Sequence, residues 1–458
     1  MSTLHVPERF IMKKTLGAVA AAAAIALSLS ACGGSAPSAE AKGEINYWLW
    51  DANQLPAYQQ CADDFTKANP DIKVKITQRG WDDYWTTLTN GFVAGTAPDV
   101  FTNHLSKYPE YAAKKQLLSL DDAVAKDGIK LESYTKGLPE LWVGQDGKRY
   151  GLPKDWDTVG LFYNKAMADS AGLTAEQMAN LDWNPQDGGS YEKAIAHLTV
   201  DKNGVRGDEA GFDKNNVAVY GLGLGLAGGG SGQGQTEWSF LTATTGWTHT
   251  DKNPWGTEFN YDDPRFQETI AWWAGLIETG YMPKLETTVG ASLADNFGAG
   301  KAAINTTGDW LIGQYQSYKG VETAFAPTPK GPEGKRASMF NGLADSVWAG
   351  TKNPAASVKW VEYLGSTACQ DVVASKAVVF PAITSSTEIA AKAFADKGTD
   401  VSAFTTHIKD GTTFLFPIAD KAAKVDGIMK PAMDAVLAGK KPASSLTEAN
   451  NQINALFK

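Results

Sequence analysis

The chain has 458 residues, 42 of them lysine or arginine and 51 aspartate or glutamate, for a formal net charge of −9. That acidic, mixed surface excludes a nucleic-acid partner, which rewards clustered basic side chains, and the length supports a core divided between more than one lobe. Three cysteines and five histidines, with no cysteine and histidine at ligand spacing, argue against structural zinc.

The chain opens with Lys13 and Lys14, an alanine-rich apolar run over residues 16–29, and Leu29-Ser30-Ala31-Cys32. The run is short for a permanent membrane span. A basic start, an apolar core and small residues before a cysteine resemble a bacterial lipoprotein signal. Residues 1–31 would then be removed and Cys32 would become the lipid-bearing N-terminus. An ordinary export signal with an incidental cysteine is the alternative, and residues 1–11 read as an upstream extension. Both readings place the working protein outside the cytoplasm. Residues 32–43, rich in glycine, serine and alanine, form a flexible tether.

Order begins with a strand-like run over residues 44–50. A helix over 55–68 has Leu55, Tyr58, Ala62 and Phe65 at helical spacing, and Asn69-Pro70 stops it. Ile72, Val74 and Ile76 alternate as a strand. The next helix begins near Trp81, with Trp85, Leu88 and Phe92 on the same face; residues 99–102 form a short strand and 108–115 a helix. Residues 158–163 read as a strand and 164–171 as a helix. Residues 217–222 form a strand entering a glycine-rich loop at 221–234. Asp263-Pro264 starts a helix whose apolar face holds Phe266, Ile270, Trp273, Ala274 and Ile277. Residues 301–305 form a strand, 325–334 a proline-glycine turn and 354–375 one long helix. From Ser385 onward the chain reads as almost entirely helical. The alternation predicts an α/β fold with a mainly parallel sheet.

Ligands of open α/β sheets bind beyond the carboxyl ends of the strands. Those places hold Asp51 and Asn53, Trp81, Asn103 and His104, then Lys154, Asp155 and Trp156 near the crossover, then Asp309 and Trp310. Asn341 and Gly342 precede a strand near Leu343, and Trp238 lies just past the glycine-rich loop. Rings beside carboxylates or amides suit a polyhydroxylated ligand, whose C–H faces lie on the rings while its hydroxyls require fixed donors and acceptors. Trp48, Trp85 and Trp273 read as core and Trp360 as core or rim. Trp81 reads equally as a core cap or a platform. Trp156, Trp238 and Trp310 are expected to be platforms. The polar loop residues could also be satisfied among themselves.

Enzymatic readings are weaker. A glycosidase needs two carboxylates facing one bond, and Asp51, Asp155 and Asp309 could supply a pair, but loop acids are common in an acidic chain. No Gly-x-Ser-x-Gly nucleophile turn occurs. Gly223, Gly225 and Gly228 match a dinucleotide fingerprint by letter only, within a glycine tract outside the cell. Asp51, Asp63 and Asp64 lack calcium-loop spacing. No cofactor and no metal are expected. After Cys32 only Cys61 and Cys369 remain. An oxidising exterior permits one bridge between them, closing a loop of roughly 300 residues; two buried thiols are the alternative.

Several segments carry a family likeness: Ile45-Asn-Tyr-Trp-Leu-Trp50, Phe65-Thr-Lys-Ala-Asn-Pro70, Gly95-Thr-Ala-Pro-Asp99, Tyr150-Gly-Leu-Pro153 with Leu161-Phe-Tyr-Asn164, Gly308-Asp-Trp310, and Asn353-Pro-Ala-Ala-Ser-Val-Lys-Trp360. Together with the cysteine signal they resemble the extracellular solute-binding proteins of family 1, the maltose-binding-protein-like carbohydrate-binding lipoproteins of ABC transporters. The resemblance implies a type II fold of two α/β lobes with several crossings, an N-terminal lobe of 44–153 and 326–384 and a C-terminal lobe of 154–325 and 385–458. It implies a sugar in the cleft, delivered to the permease subunits. The many cleft aromatics favour an oligosaccharide. The protein would be a monomer held at the outer face of the cytoplasmic membrane by its lipid alone. The resemblance also puts Cys61 and Cys369 in one lobe. An exported glycoside hydrolase and a surface adhesin or peptide-binding protein are the rivals.

Overall fold

The computed structural model describes residues 41–126, 129–225, 233–288 and 290–458. The expected signal, Cys32, most of the tether and residues 226–232 of the glycine-rich stretch lie outside the described residues.

The chain begins in one sheet with β1 (Gly43–Leu49), β2 (Ile72–Gln78), β3 (Val100–Asn103) and β4 (Leu152–Asp157). It passes through Thr158 into a second sheet of β5 (Val159–Asn164), β6 (Val200–Asp201), β7 (Val217–Leu222), β8 (Ala302–Gly308) and β9 (Thr323–Pro327). It then returns with β10 (Ser338–Val347), β11 (Phe380–Pro381) and β12 (Thr413–Leu415). The first sheet has the order β11-β4-β10-β3-β1-β2, with β12 on β10, and the second has the order β6-β7-β8-β5-β9.

The expected parallel pairing holds for β1 with β2 and β3 and for β7 with β8. It fails where the chain changes sheets, because β10 is antiparallel to both β3 and β4. β4 leaves its sheet at the carboxyl end, so a strand returning from the other sheet enters at that end and runs the opposite way. In the second sheet β5 runs antiparallel to β8 and β9, and β6 to β7, so both sheets are mixed.

The helix Leu55–Ala68 buries Tyr58, Ala62 and Phe65 of the expected stripe and adds Ala57 and Cys61, while Leu55 stays half-buried. It ends where the Asn69 side chain donates back to the Phe65 carbonyl. The helix Trp81–Ala94 stops at Gly95, whose φ of 70° lies in the left-handed region where glycine carries no steric penalty. The single helix expected over 354–375 is two, Pro354–Leu364 and Thr367–Ser375, broken at Gly365-Ser366. The helical C-terminal region is interrupted by β12. Cys61 and Cys369 are joined, with Cα atoms 5.2 Å apart.

Each lobe has its own apolar centre. Ile45, Tyr47, Phe65, Trp360 and Cys369 pack together on one side of the first sheet. Ile195, Trp238, Phe266, Trp273 and Ile304 form the centre of the second. Sheet membership moves the expected lobe limits. The break expected after residue 153 falls inside β4, and the passage is at Thr158. The helix Thr384–Asp396 stays with the first sheet, where Ser386 donates to Asp371 and Trp156 to Thr387. Ser402–Lys409 returns to the second sheet, placing Phe404 under Gly160 of β5.

Candidate functional site

The site grows from β4. Successive strand residues face opposite ways, so Lys154 and Trp156 share one face while Asp155 and Asp157 share the other. Register places Asn341 of β10 opposite Asp157 and Leu343 opposite Asp155. The Leu343 amide donates to Asp155 Oδ1 at 3.2 Å. Asn341 Nδ2 donates to Asp157 Oδ2 at 3.1 Å and lies 3.2 Å from His104 Nε2. His104, just beyond β3, is fixed through Nδ1 by the Ser106 hydroxyl at 2.9 Å. Burial lowers His104 to about 3, so the ring is neutral near neutral pH.

The second sheet contributes from across the junction. The Thr158 amide donates to Asp309 Oδ2 at 3.1 Å, and the Asp309 amide donates to the Thr158 carbonyl. Gln235 Nε2, from just past the glycine-rich stretch, donates to Asp157 Oδ1 at 2.9 Å. Three buried carboxylates, Asp155, Asp157 and Asp309, thus gather where the two sheets meet. Desolvation raises all three: Asp155 rises to about 7, and Asp157 and Asp309 are pushed well up, each further raised by a neighbouring carboxylate. Asp155 Oδ2, Asp309 Oδ1 and Asn341 Oδ1 are buried without a hydrogen-bond partner. A buried acceptor without a donor costs on the order of 1–3 kcal/mol, so three together mark a place completed by something else.

An aromatic wall stands beside this cluster. Trp81 packs edge-on against Trp50 at 5.1 Å, Trp85 at 5.3 Å and His104 at 5.5 Å. Phe416 meets His104 at 5.3 Å. Trp81 and Trp50 are half-buried and keep part of each ring accessible. Trp50 was not among the expected site residues. It is the first residue after β1, and the strand-end rule that selected Asp51 applies to it equally. Trp310 is half-buried; its ring folds over Gly308, where any Cβ would lie 1.6 Å from it, and it packs against the apolar centre of the first lobe. It therefore reaches across between lobes.

Other expected ligand contacts are placed differently. Trp156 is stacked on Phe380 at 4.6 Å inside the first lobe. Trp238 is enclosed by Phe266 at 5.1 Å and Trp247 at 5.9 Å in the second core. Lys154 points away from the carboxylate cluster: Nζ donates to Tyr47 Oη at 3.0 Å and Thr102 Oγ1 at 2.9 Å, lies 3.8 Å from the Tyr58 ring centre, and pairs with Asp345 at 4.0 Å. Asn103 is buried and bonds Ser346 Oγ at 3.1 Å. Gly342 is required by packing, since a Cβ there would approach Leu138 to 2.6 Å. Asp51 accepts from the Asn53 amide and the Gln54 side chain, with burial raising its carboxyl; Asn53 itself is exposed. The structure thus brings together His104, Asp155, Asp309 and Asn341, with Trp81 beside them, and adds Asp157, Gln235 and Trp50.

A sequence model of the bacterial extracellular solute-binding proteins matches residues 51–371. The chain belongs to this family. Among curated solute-binding proteins, the lactose-binding protein of Rhizobium radiobacter is 28% identical over 179 residues, a match spanning 38% of this chain and 39% of that protein. The maltodextrin-binding protein MdxE of Bacillus subtilis is 26% identical over 356 residues, 77% of this chain and 76% of that one. Among solved structures, an ABC substrate-binding protein of Listeria monocytogenes in complex with cycloalternan superposes with a TM-score of 0.77 at 21% identity, over 91% of this chain and 99% of that one. The GacH receptor of Streptomyces glaucescens gives 0.72 at 20% identity, over 91% and 98%. The fold is the two-lobe type II arrangement of these solute-binding proteins. Among the described residues no helix is long and apolar enough to cross a membrane.

Proposed function

We propose that this solute-binding protein is the lipid-anchored substrate receptor of an ABC importer, capturing a sugar, an oligosaccharide rather than a monosaccharide, and delivering it intact to the permease subunits. The observation that carries the reading is the trio of unpartnered buried acceptors at the sheet junction beside the half-buried Trp50 and Trp81. Sugar hydroxyls supply donors to such acceptors, and sugar C–H faces lie on such rings. The relatives named for lactose and maltodextrin support the same ligand class. Asp155, Asp157, Asp309, Asn341, His104, Trp50, Trp81 and Trp310 are the proposed contacts, with Asp51 and Asn53 at the rim.

Capture works by hinge closure of the kind general to periplasmic binding proteins. Thr158 and the segment between β9 and β10 are the proposed hinges, and the sugar engages both lobes only when they close. Cys32 would carry the lipid and hold a monomer at the outer face of the cytoplasmic membrane. Titration calorimetry of the exported form against malto-, galacto- and manno-oligosaccharides, followed by chromatography of the mixtures, tests this reading. Saturable binding with unchanged sugar is expected. Shortened sugar would assign a glycosidase, and no response to any glycan would overturn sugar capture.

A further inference from the structure

Among the described residues no cation is in contact with the three junction carboxylates, although the Lys154 charge partly offsets the desolvation of Asp155. Among the described residues none of Asp155, Asp157 and Asp309 has a lysine, arginine or histidine nitrogen within 4 Å. Lys154, next in sequence, is turned to the opposite face and engaged there. The donors that reach the carboxylates are in use: Gln235 Nε2 and Asn341 Nδ2 on Asp157, the Leu343 amide on Asp155, and the Thr158 amide on Asp309, while His104 Nε2 lies against the Asn341 amide. With the acids ionised, the oxygens left open are acceptors: Asp155 Oδ2, Asp309 Oδ1 and, independently of the acids, the carboxamide Oδ1 of Asn341, a side chain 3% exposed whose other amide atom is bonded to Asp157.

This donor–acceptor balance discriminates between ligands. A hydroxyl brings one donor and no charge, so each satisfies one of these acceptors. An ammonium brings three donors, no lone pair and a positive charge, and its hydrogen bonds to carboxylates are about twice as strong as neutral ones. A bare metal ion fits less well, since no group of three or more His, Cys, Asp or Glu among the described residues is disposed to hold one.

We propose that the carboxylate cluster at the Thr158 junction recognises a protonated amine, so that the solute is an amino sugar carrying a free, unacetylated nitrogen. This rests on the sugar-binding reading and narrows it. The amine sits among Asp155, Asp309 and Asn341, and the neighbouring ring carbons lie toward Trp81 and Trp50.

The test uses matched triples of di- and trisaccharides in the gluco, galacto and manno series, identical in linkage and bearing a free amine, an N-acetyl group or a hydroxyl at carbon 2. Each is titrated calorimetrically into the purified exported chain. The expected result is that a free-amine member binds at least tenfold tighter than both its counterparts. Asp309→Asn, which keeps an oxygen for the Thr158 amide, should then cost at least tenfold more affinity for the amine than for the hydroxyl form. Asp155→Asn serves as a second variant if the first melts markedly lower. Equal or tighter binding of a hydroxyl or N-acetyl member overturns the amine and leaves sugar capture standing. No binding by any member of any series overturns both.

Discussion

The two faces of β4 bury charge in opposite ways. On one face the Lys154 ammonium lies among Tyr47, Thr102, the Tyr58 ring and Asp345, so its desolvation is offset inside the first lobe. On the other, one and three residues along, Asp155 and Asp157 meet Asp309 with no cation in contact among the described residues, and oxygens of Asp155 and Asp309 are left open. A buried charge needs a partner or must give up its charge. The first face carries its counter-ion within the fold, though Asp345 Oδ2 is itself unbonded. The second leaves that role to a proton or to a ligand, which is the difference between a structural network and a binding site built on one strand.

The largest test of the contrast is Lys154→Met. Removing the cation leaves Asp345 buried and unpaired, and urea unfolding should record a loss of about 3–5 kcal/mol. A loss below about 1 kcal/mol would make the two faces alike. The tryptophans give a second pair. Trp156→Ala removes a ring stacked on Phe380 and should cost about 3 kcal/mol or more of stability. Trp310→Ala should weaken sugar binding by about 1 kcal/mol with a smaller effect on unfolding. The reverse ranking would exchange the roles assigned to these rings.

The smallest effect is in pH. Asp155, raised to about 7, and Asp157 and Asp309, pushed well up by desolvation, retain protons in the folded chain that the unfolded chain releases near pH 4. Because the folded state binds more protons, stability of the unliganded protein falls as pH rises from about 4 through 7 and beyond. Buried His104, His249 and His407, lowered to about 3, 4 and 4, act in the opposite sense, but only below their unfolded value of about 6.5. Between pH 6.5 and 8 the carboxylates alone set the slope. Unfolding free energy at pH 6.5 should exceed that at pH 8 by at least about 1 kcal/mol, and a flat profile would mean the cluster stays hydrated.

Much of the fold is legible from spacing. Tyr58, Ala62 and Phe65 repeat at helical intervals, and Ile72, Val74 and Ile76 alternate in β2, because one face of each element is wet. β4 escapes this reading. Leu152–Asp157 is buried on both faces, so no alternation shows, and its lysine and two aspartates find partners far off in sequence, on β1, β3 and β10, the Tyr58 ring and Gln235. The same geometry explains the misplaced rings. Trp156 stands beside Asp155 in sequence, and in a strand neighbours diverge, so adjacency put the ring in the core. Trp238 lies past a glycine tract, yet Phe266 and Trp247 close over it. Asp155, Asp309, Asn341 and His104 meet in the fold because strand ends converge, and Asp157 and Trp50, equally at strand ends, join them.

The bond between Cys61 and Cys369 ties the second helix turn of the described chain to a segment lying 308 positions downstream. Every residue of the second sheet therefore belongs to a covalently closed ring. A protease that cuts once anywhere inside that ring cannot shed a fragment. The two pieces would travel as one on a non-reducing gel and separate only when a thiol is added.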